Sequence, residues 1–373
     1  MRPFSLLIKP AAADCNLRCD YCFYLDKGKL YPGARKHRMS NETLRALLSS
    51  YLETPQPVHS LVWQGGEPTL MGEAFFRSVT EEQKRLAPRG ARIANSLQTN
   101  ATLVKEGLAA HLGKYKFLVG CSIDGPADLH DAFRRTTSGR PTHARAVRGA
   151  RTLVKHGVPV NAVALVSAAN VDSPRRVYRH LLELGFGHVQ FVPCVEFDES
   201  GEPLPFTITG EQWGEFLRGV FEEWHGRGHW NVSVRNFESV LAKMAGASAG
   251  ECRLCEQCDQ YLVVEYNGDI YPCDFYVDEE HRLGNVHDMS LAEARETQFY
   301  QAFTTAKSRL PEGCSDCDHL SLCMGDCPKF RTGASGAASW LCPGWRMFFQ
   351  TTRERFESLA RAIAARQSGM PRG

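Results

Sequence analysis

Three cysteines in the stretch Cys15-Asn-Leu-Arg-Cys19-Asp-Tyr-Cys22 constrain this chain more than anything else in it. Thiolates are soft ligands suited to iron–sulfur clusters, and three on one short loop can hold three irons of a 4Fe–4S cube. The fourth iron then has no protein ligand nearby in sequence and is open to a small molecule. Such an iron is a place for chemistry, whereas a four-Cys cluster usually only carries electrons. A zinc loop or three unrelated thiols are the competing readings of the spacing alone.

The chain carries fourteen cysteines in 373 residues. Disulfide frameworks belong mostly to short secreted chains, so thiols in this number point to metal or cluster binding. Three lie in residues 15–22 and nine between Cys252 and Cys342, with Cys121 and Cys194 between the groups. The latter two sit in apolar strands and read as core thiols. Lys plus Arg number 44 against 42 Asp plus Glu, which leaves no general field for nucleic acid or an anionic membrane. No apolar run approaches the ~20 residues of a membrane span. The N-terminal apolar stretch is broken by Lys9 and Pro10, as a first strand rather than a secretory signal would be, and a cytoplasmic location is expected.

Apolar runs predict strands near 4–9, 60–63, 92–98, 116–123, 158–166 and 188–193. Helical periodicity falls near 41–52, 73–86, 104–112, 142–156, 174–184 and 210–226. Strand-then-helix alternation implies an α/β fold with a parallel sheet, and six units make a partial, open (β/α)6 TIM-like barrel. Polar motifs stand where strands end: Gln64-Gly-Gly-Glu-Pro68, Gln98-Thr-Asn100 and Ser122-Ile-Asp-Gly125. In a parallel barrel that rim is where sites are built. Gly65 and Gly66 allow close approach of main chain to a ligand, although Gly-Gly-Glu-Pro alone also describes a tight turn. Residues 231–251 read as a linker, and 333–338 as a surface loop. Apolar residues from Trp345 to about Ala364 recur at helical spacing, predicting a packed C-terminal helix.

The later cysteines follow Cys258-x9-Gly268-x4-Cys273 and Cys314-x2-Cys317-x5-Cys323-x3-Cys327, flanked by Cys252 and Cys342. Tyr266-Asn-Gly-Asp-Ile270 predicts a hairpin turn at Gly268 that brings Cys258 and Cys273 together. Paired Cys-x2-Cys hooks also suit structural zinc. Cys255, inside the Cys252–Cys258 interval, stands apart from the pattern.

The Cys15–Cys22 loop followed by Gly-Gly-Glu-Pro resembles the radical S-adenosylmethionine (SAM) enzymes, and the later cysteines resemble their SPASM domain. Ser5-Leu-Leu-Ile-Lys-Pro10, Cys22-Phe-Tyr24, Gln64-Gly-Gly-Glu-Pro-Thr-Leu70, Ser96-Leu-Gln-Thr-Asn100, Tyr271-Pro-Cys-Asp-Phe-Tyr276 and Arg282-Leu-Gly-Asn285 narrow the resemblance to the anaerobic sulfatase-maturating enzymes. It covers nearly the whole chain. It implies a radical SAM barrel over 1–230, the linker at 231–251, a SPASM domain over 252–343 and a C-terminal helix and tail over 344–373. It further implies SAM and three 4Fe–4S clusters. Cys15, Cys19 and Cys22 would hold the SAM cluster. Cys252, Cys258, Cys273 and Cys327 would hold one auxiliary cluster, and Cys314, Cys317, Cys323 and Cys342 the other. Tyr21, Gly65, Gly66, Glu67, Ser122, Arg134 and Val195 would contact SAM.

By the same resemblance Asp274 is the catalytic base, with Tyr24 and Gln64 as further rim candidates. The implied reaction oxidises a Cys or Ser in a sulfatase Cys/Ser-x-Pro/Ala-x-Arg segment to Cα-formylglycine. A 5′-deoxyadenosyl radical removes hydrogen from Cβ, and an electron leaves through the auxiliary clusters. The implied partners are an unfolded or extended sulfatase polypeptide and an electron donor such as flavodoxin or ferredoxin. Two alternatives stand beside this: a SPASM maturase that crosslinks a small peptide, and a non-catalytic zinc-rich binding protein.

Overall fold

A computed structural model of the chain describes residues 2–33, 35–331 and 337–368, with side chains as far as residue 365. Strands β1 (Ser5–Lys9), β2 (His59–Trp63), β3 (Ile93–Thr99), β4 (Leu118–Ser122), β5 (Val160–Val166) and β6 (His188–Pro193) alternate with helices. These are α1 (Asn41–Leu52), α2 (Gly72–Leu86), α3 (Glu106–Lys114), α4 (Ala127–Phe133), α5 (His143–Lys155), α6 (Pro174–Glu183) and α7 (Gly210–Gly226). Then follow β7 (Ser233–Val234), α8 (Arg235–Met244), β8 (Tyr261–Glu265), β9 (Asp269–Tyr271), β10 (Gly284–Asn285), α9 (Leu291–Glu296), α10 (Gln298–Ala306), α11 (Leu320–Cys323) and α12 (Cys342–Ser368). Among the described residues no helix is long and apolar enough to cross a membrane.

The chain forms two compact units, one of residues 1–123, 130–162 and 258–306, the other of 124–129, 163–257 and 307–373. In the first, the strand order is β10-β9-β8-β1-β2-β3-β4. β1 to β4 run parallel, with Leu6 opposite Leu61 and Ile8 opposite Trp63. Leu6, Ile8, Leu61, Trp63 and Val119 are fully buried, each such side chain contributing roughly 1.5–3 kcal/mol. Trp63 meets Phe75 and Phe76 of α2 edge-on. The start of α1 is set by Ser40, whose hydroxyl accepts the Thr43 N–H at 3.0 Å, an N-cap worth about 1 kcal/mol.

The predicted Asn-Gly hairpin is present, with Gly268 at φ 92°. A Cβ there would stand 2.8 Å from both Asn285 Oδ1 and Val286 Cγ2. Sequence pattern did not foresee that β8 adds to the sheet in parallel beside β1, Leu6 to Leu262 and Lys9 to Glu265. Leu262, Val263 and Val264 are all fully buried, the pattern of a strand covered on both faces.

In the second unit α12 lies against α7 and α8. Phe221, Phe237, Phe348 and Phe356 pack ring on ring. Glycines let the main chains meet: a Cβ on Gly344 would fall 1.9 Å from the Gly210 carbonyl oxygen, and one on Gly214 2.6 Å from that of Gly344. Two expectations change here. The linker read at 231–251 contains β7 and α8, because Phe237 and Val240 give its first half a buried apolar face. The C-terminal helix also starts earlier, at Cys342. Residues 333–336 of the expected surface loop and 369–373 of the tail lie outside the described residues.

Candidate active site

The cysteine loop leaves β1 and is fastened to the end of α4 and the segment after it. Arg18 N–H donates to the Arg135 carbonyl at 2.8 Å, and Asp20 N–H to that of Phe133 at 3.3 Å. Tyr21 is buried, edge-on to Phe133, with the Arg134 guanidinium 5.4 Å from its ring centre. Burial pushes the Cys15 thiol up to about 12, and the charges of Glu67, Cys19 and Cys22 push the same way. Burial also raises Cys22, although Arg134 and Lys9 lower it. Thiolates that oppose one another in a buried loop are stabilised by a cationic centre among them, and metal binding is what strips their protons. The donor set therefore fits a cluster.

Gly65 and Gly66 prove to be contact points with this loop. A Cβ on Gly66 would sit 2.2 Å from the Asp14 carbonyl oxygen, and one on Gly65 2.8 Å from that of Ala12. Gly66 N–H donates to Ala12 and Glu67 N–H to Asp14, at 2.7 and 2.8 Å. With those N–H groups spent, what the turn can offer a cationic amine is carbonyl oxygen. The Glu67 side chain is fully buried. Its Oε1 accepts from Thr69 N–H and from the Thr69 and Thr99 hydroxyls, and its Oε2 accepts the Asn100 N–H. Burial raises its pKa in spite of these bonds. Glu67 thus pins the exit of β2 to the exit of β3. Asn100 passes the restraint on, donating to Asn16 Oδ1 at 2.9 Å and approaching Cys15 Sγ at 3.8 Å. Ser122, at the end of β4, accepts from Gln98 Nε2 at 3.1 Å.

Asp274 follows the β8–β9 hairpin and is brought to the same rim. Its carboxylate is paired with Lys9 through Oδ1, and Gln64 Nε2 approaches Oδ2 at 3.5 Å. The Lys9 ammonium also lies 4.3 Å from the centre of the Tyr24 ring, and the Tyr24 hydroxyl donates to Glu265 Oε1. Asp274, Tyr24 and Gln64 therefore belong to one cluster around the Lys9 ammonium. Sequence reading missed the two groups that join them, Lys9 and Glu265. Both are fully buried. Burial pushes the Glu265 carboxyl up to about 7, with Tyr24 and Lys9 acting against it and the charge of Asp274 adding to it.

The remaining thiols fall in both units. In the first, Cys258 and Cys273 lie near enough to Tyr300 for both to raise its hydroxyl, after burial. In the second, Cys252 opens a turn whose carbonyls, with those of Arg253 and Cys255, accept the buried Lys307 ammonium. Burial raises Cys327 most, and Asp326 adds to it. The Cys255 thiol instead turns back to the carbonyls of Ala249 and Glu251. Cys314, Cys317, Cys323 and Cys342 line a single cavity of about 160 Å³ with Asp326 and Trp345. Four thiols converging on one small cavity suit a closed cluster. Val195, just past β6 in the second unit, is buried. Cys121 and Cys194 are buried too.

Two family models match the chain, the radical SAM superfamily over residues 11–181 and the SPASM iron–sulfur cluster-binding domain over 251–318. The serine-type anaerobic sulfatase-maturating enzyme of Bacteroides thetaiotaomicron is 34% identical over 98% of this chain and 94% of its own length. A cysteine-type enzyme of Clostridium perfringens is 33% identical over 97% of this chain and 100% of its own. A solved structure of native anSMEcpe with bound AdoMet and Cp18Cys peptide is 32% identical, covering 97% of this chain and 100% of that one with a TM-score of 0.89. These matches run along nearly the whole chain, which belongs to the anaerobic sulfatase-maturating enzymes, a SPASM-domain family of the radical SAM superfamily.

Proposed function

We propose that the chain oxidises a Cys or Ser in a sulfatase Cys/Ser-x-Pro/Ala-x-Arg segment to Cα-formylglycine. The observation that carries the reading is the meeting of Asp274, Gln64 and Tyr24 on the rim shared with the Cys15–Cys22 loop. Cys15, Cys19 and Cys22 would hold a 4Fe–4S cluster. Cys252, Cys258, Cys273 and Cys327 would hold a second, and Cys314, Cys317, Cys323 and Cys342 a third. When bound, these clusters and SAM supply the radical that removes hydrogen from the substrate Cβ and the route by which the remaining electron leaves.

The chain's own residues do the rest. Gly65, Gly66 and Glu67 shape the turn against the cysteine loop, and Ser122, Arg134, Tyr21 and Val195 supply further contacts to SAM. Asp274 accepts the proton of the substrate thiol or hydroxyl, so that loss of one hydrogen atom, one proton and one electron leaves a C=S or C=O group. The thioaldehyde from a Cys hydrolyses to the aldehyde that a Ser gives directly. An extended sulfatase segment is the substrate, and a flavodoxin or ferredoxin is the proposed donor. Serine-type and cysteine-type relatives match at nearly equal identity, so the reading includes both targets.

The test is anaerobic incubation of the protein with SAM, a reductant and Cys- and Ser-containing motif peptides, followed by mass spectrometry. An aldehyde-bearing peptide is expected. A peptide recovered unchanged or crosslinked, with 5′-deoxyadenosine formed, would overturn the reading, the crosslinked product in favour of a peptide-crosslinking maturase.

A further inference from the structure

Lys9 has no assigned part in this chemistry, yet it is the residue most firmly attached to Asp274. It ends β1, where parallel pairing sets it opposite Glu265 at the end of β8. Side chains opposite one another on adjacent strands share a face. Below them on that face, Leu7 and Val263 belong to an apolar cluster with Tyr24, Tyr271 and Val277. Lys9 and Glu265 thus stand side by side on top of an apolar layer, 1% and 0% exposed. Burying an ammonium is unfavourable unless it is paired. Lys9 has the Asp274 carboxylate on one side, the Tyr24 ring face at 4.3 Å, and the field of Glu265. Even Gly65 serves it, because a Cβ there would come within 3.1 Å of Lys9 Cδ. One carboxylate oxygen of Asp274 is thereby addressed from β1, and the other from Gln64 just past β2.

We propose that Lys9 is a positioning residue for the oxidation: its ammonium fixes where the Asp274 carboxylate points, and Glu265 and Tyr24 fix the ammonium. The inference rests on the functional reading above, in which Asp274 receives the substrate proton. Lys9 moves no proton and touches no substrate. A carboxylate free to turn would face the substrate thiol or hydroxyl only part of the time, and misplacement on the scale of 1 Å costs about 100-fold. Radicals formed in that interval would be wasted.

The test measures 5′-deoxyadenosine and oxidised peptide in one reaction for Lys9→Met, Lys9→Arg and the pair Lys9→Met/Glu265→Gln, at matched iron content. In Lys9→Met, oxidised peptide per 5′-deoxyadenosine should fall by ~10- to 100-fold, in kcat rather than in the peptide KM. Lys9→Arg, which keeps the cation, should recover most of the loss. The double variant also removes the buried charge of Glu265, so it answers the objection that Lys9 only neutralises Glu265. It should stay as uncoupled as Lys9→Met. Wild-type coupling in either Met-containing variant would overturn the proposal. Failure of the functional reading would show separately, as a wild-type reaction with no oxidised peptide. The pairing is still tested in that case by infrared difference spectra. The Asp274 carboxylate band, taken against Asp274→Asn, should shift when Lys9 becomes Met, and an unmoved band counts against the proposal.

Discussion

Glu265 should hold its proton far above the range of an ordinary carboxylate, and its replacement by Gln makes the effect measurable. In the unfolded chain a glutamic acid titrates near its ordinary value, about 4.3. In the fold, burial moves it to about 7, even though Tyr24 and Lys9 favour the charge. The sign follows from proton counting. Below the unfolded value both states hold the proton, and Glu265 makes no pH-dependent contribution. As pH rises from there, the unfolded chain releases its proton while the folded one keeps it, so stability falls until the folded group ionises near 7. At about 1.4 kcal/mol for each tenfold change in proton affinity, the fall is about 4 kcal/mol. Glu265→Gln should remove it, leaving the variant more stable than wild type at pH 8 by that order relative to the comparison at pH 4. Infrared spectroscopy supplies the direct assay, because a protonated carboxylic acid has a C=O band absent from Gln and from carboxylate. The wild-type-minus-variant band should disappear with a midpoint near 7. A midpoint between 4 and 5 would refute the argument that burial outweighs the Lys9 cation.

Three other substitutions probe the site and its frame. Asp274→Asn should reduce formylglycine formation by ~10²–10⁴-fold, the usual effect of removing a general base, read as modified peptide against 5′-deoxyadenosine; near-normal oxidation would remove Asp274 from the mechanism. The anaerobically reconstituted protein should bind about twelve irons, as three four-iron cubes require, and changing Cys15, Cys19 and Cys22 together to Ala should leave about eight and no SAM cleavage. Gly344→Ala should lower the thermal midpoint, since its Cβ would fall 1.9 Å from the Gly210 carbonyl oxygen and forced helix separation costs typically 1–3 kcal/mol; an unchanged midpoint would mean that α7 and α12 yield freely.

The alternating part of the fold was legible because each strand is an apolar run closed by Gly, Pro or a polar motif. α1 and α7, for example, occupy 41–52 and 210–226 as their periodicity predicts. What escaped was local or distant. α4 is only seven residues long, too short for a period to register. α8 was hidden by the small residues that follow Met244. The cysteine chemistry was readable because ligand spacing is a local property. The Lys9–Glu265 pair was not, since its partners lie on strands more than 250 residues apart in sequence. A lysine that ends an apolar strand beside Pro10 resembles a solvated strand end, and only the placement of β8 beside β1 turns it inward. One signal did exist, in that Lys9 falls on the same alternation as Leu7.

The opening residue of α12 bears on how the protein is made. Cys342 is the only one of the four cavity thiols carried by that helix, and the helix seats through the glycine contacts at 210, 214 and 344. A ribosome delivers Cys314, Cys317 and Cys323 first, and three thiols cannot close a four-ligand site. Completion of this centre therefore waits for the C-terminal helix to be synthesised and to dock. Pulse-labelled chains stalled before residue 342 should carry less iron than released ones. Equal loading would show that assembly does not wait. The helix thus brings the last of the four cavity thiols, and docking and closure of this centre are one event.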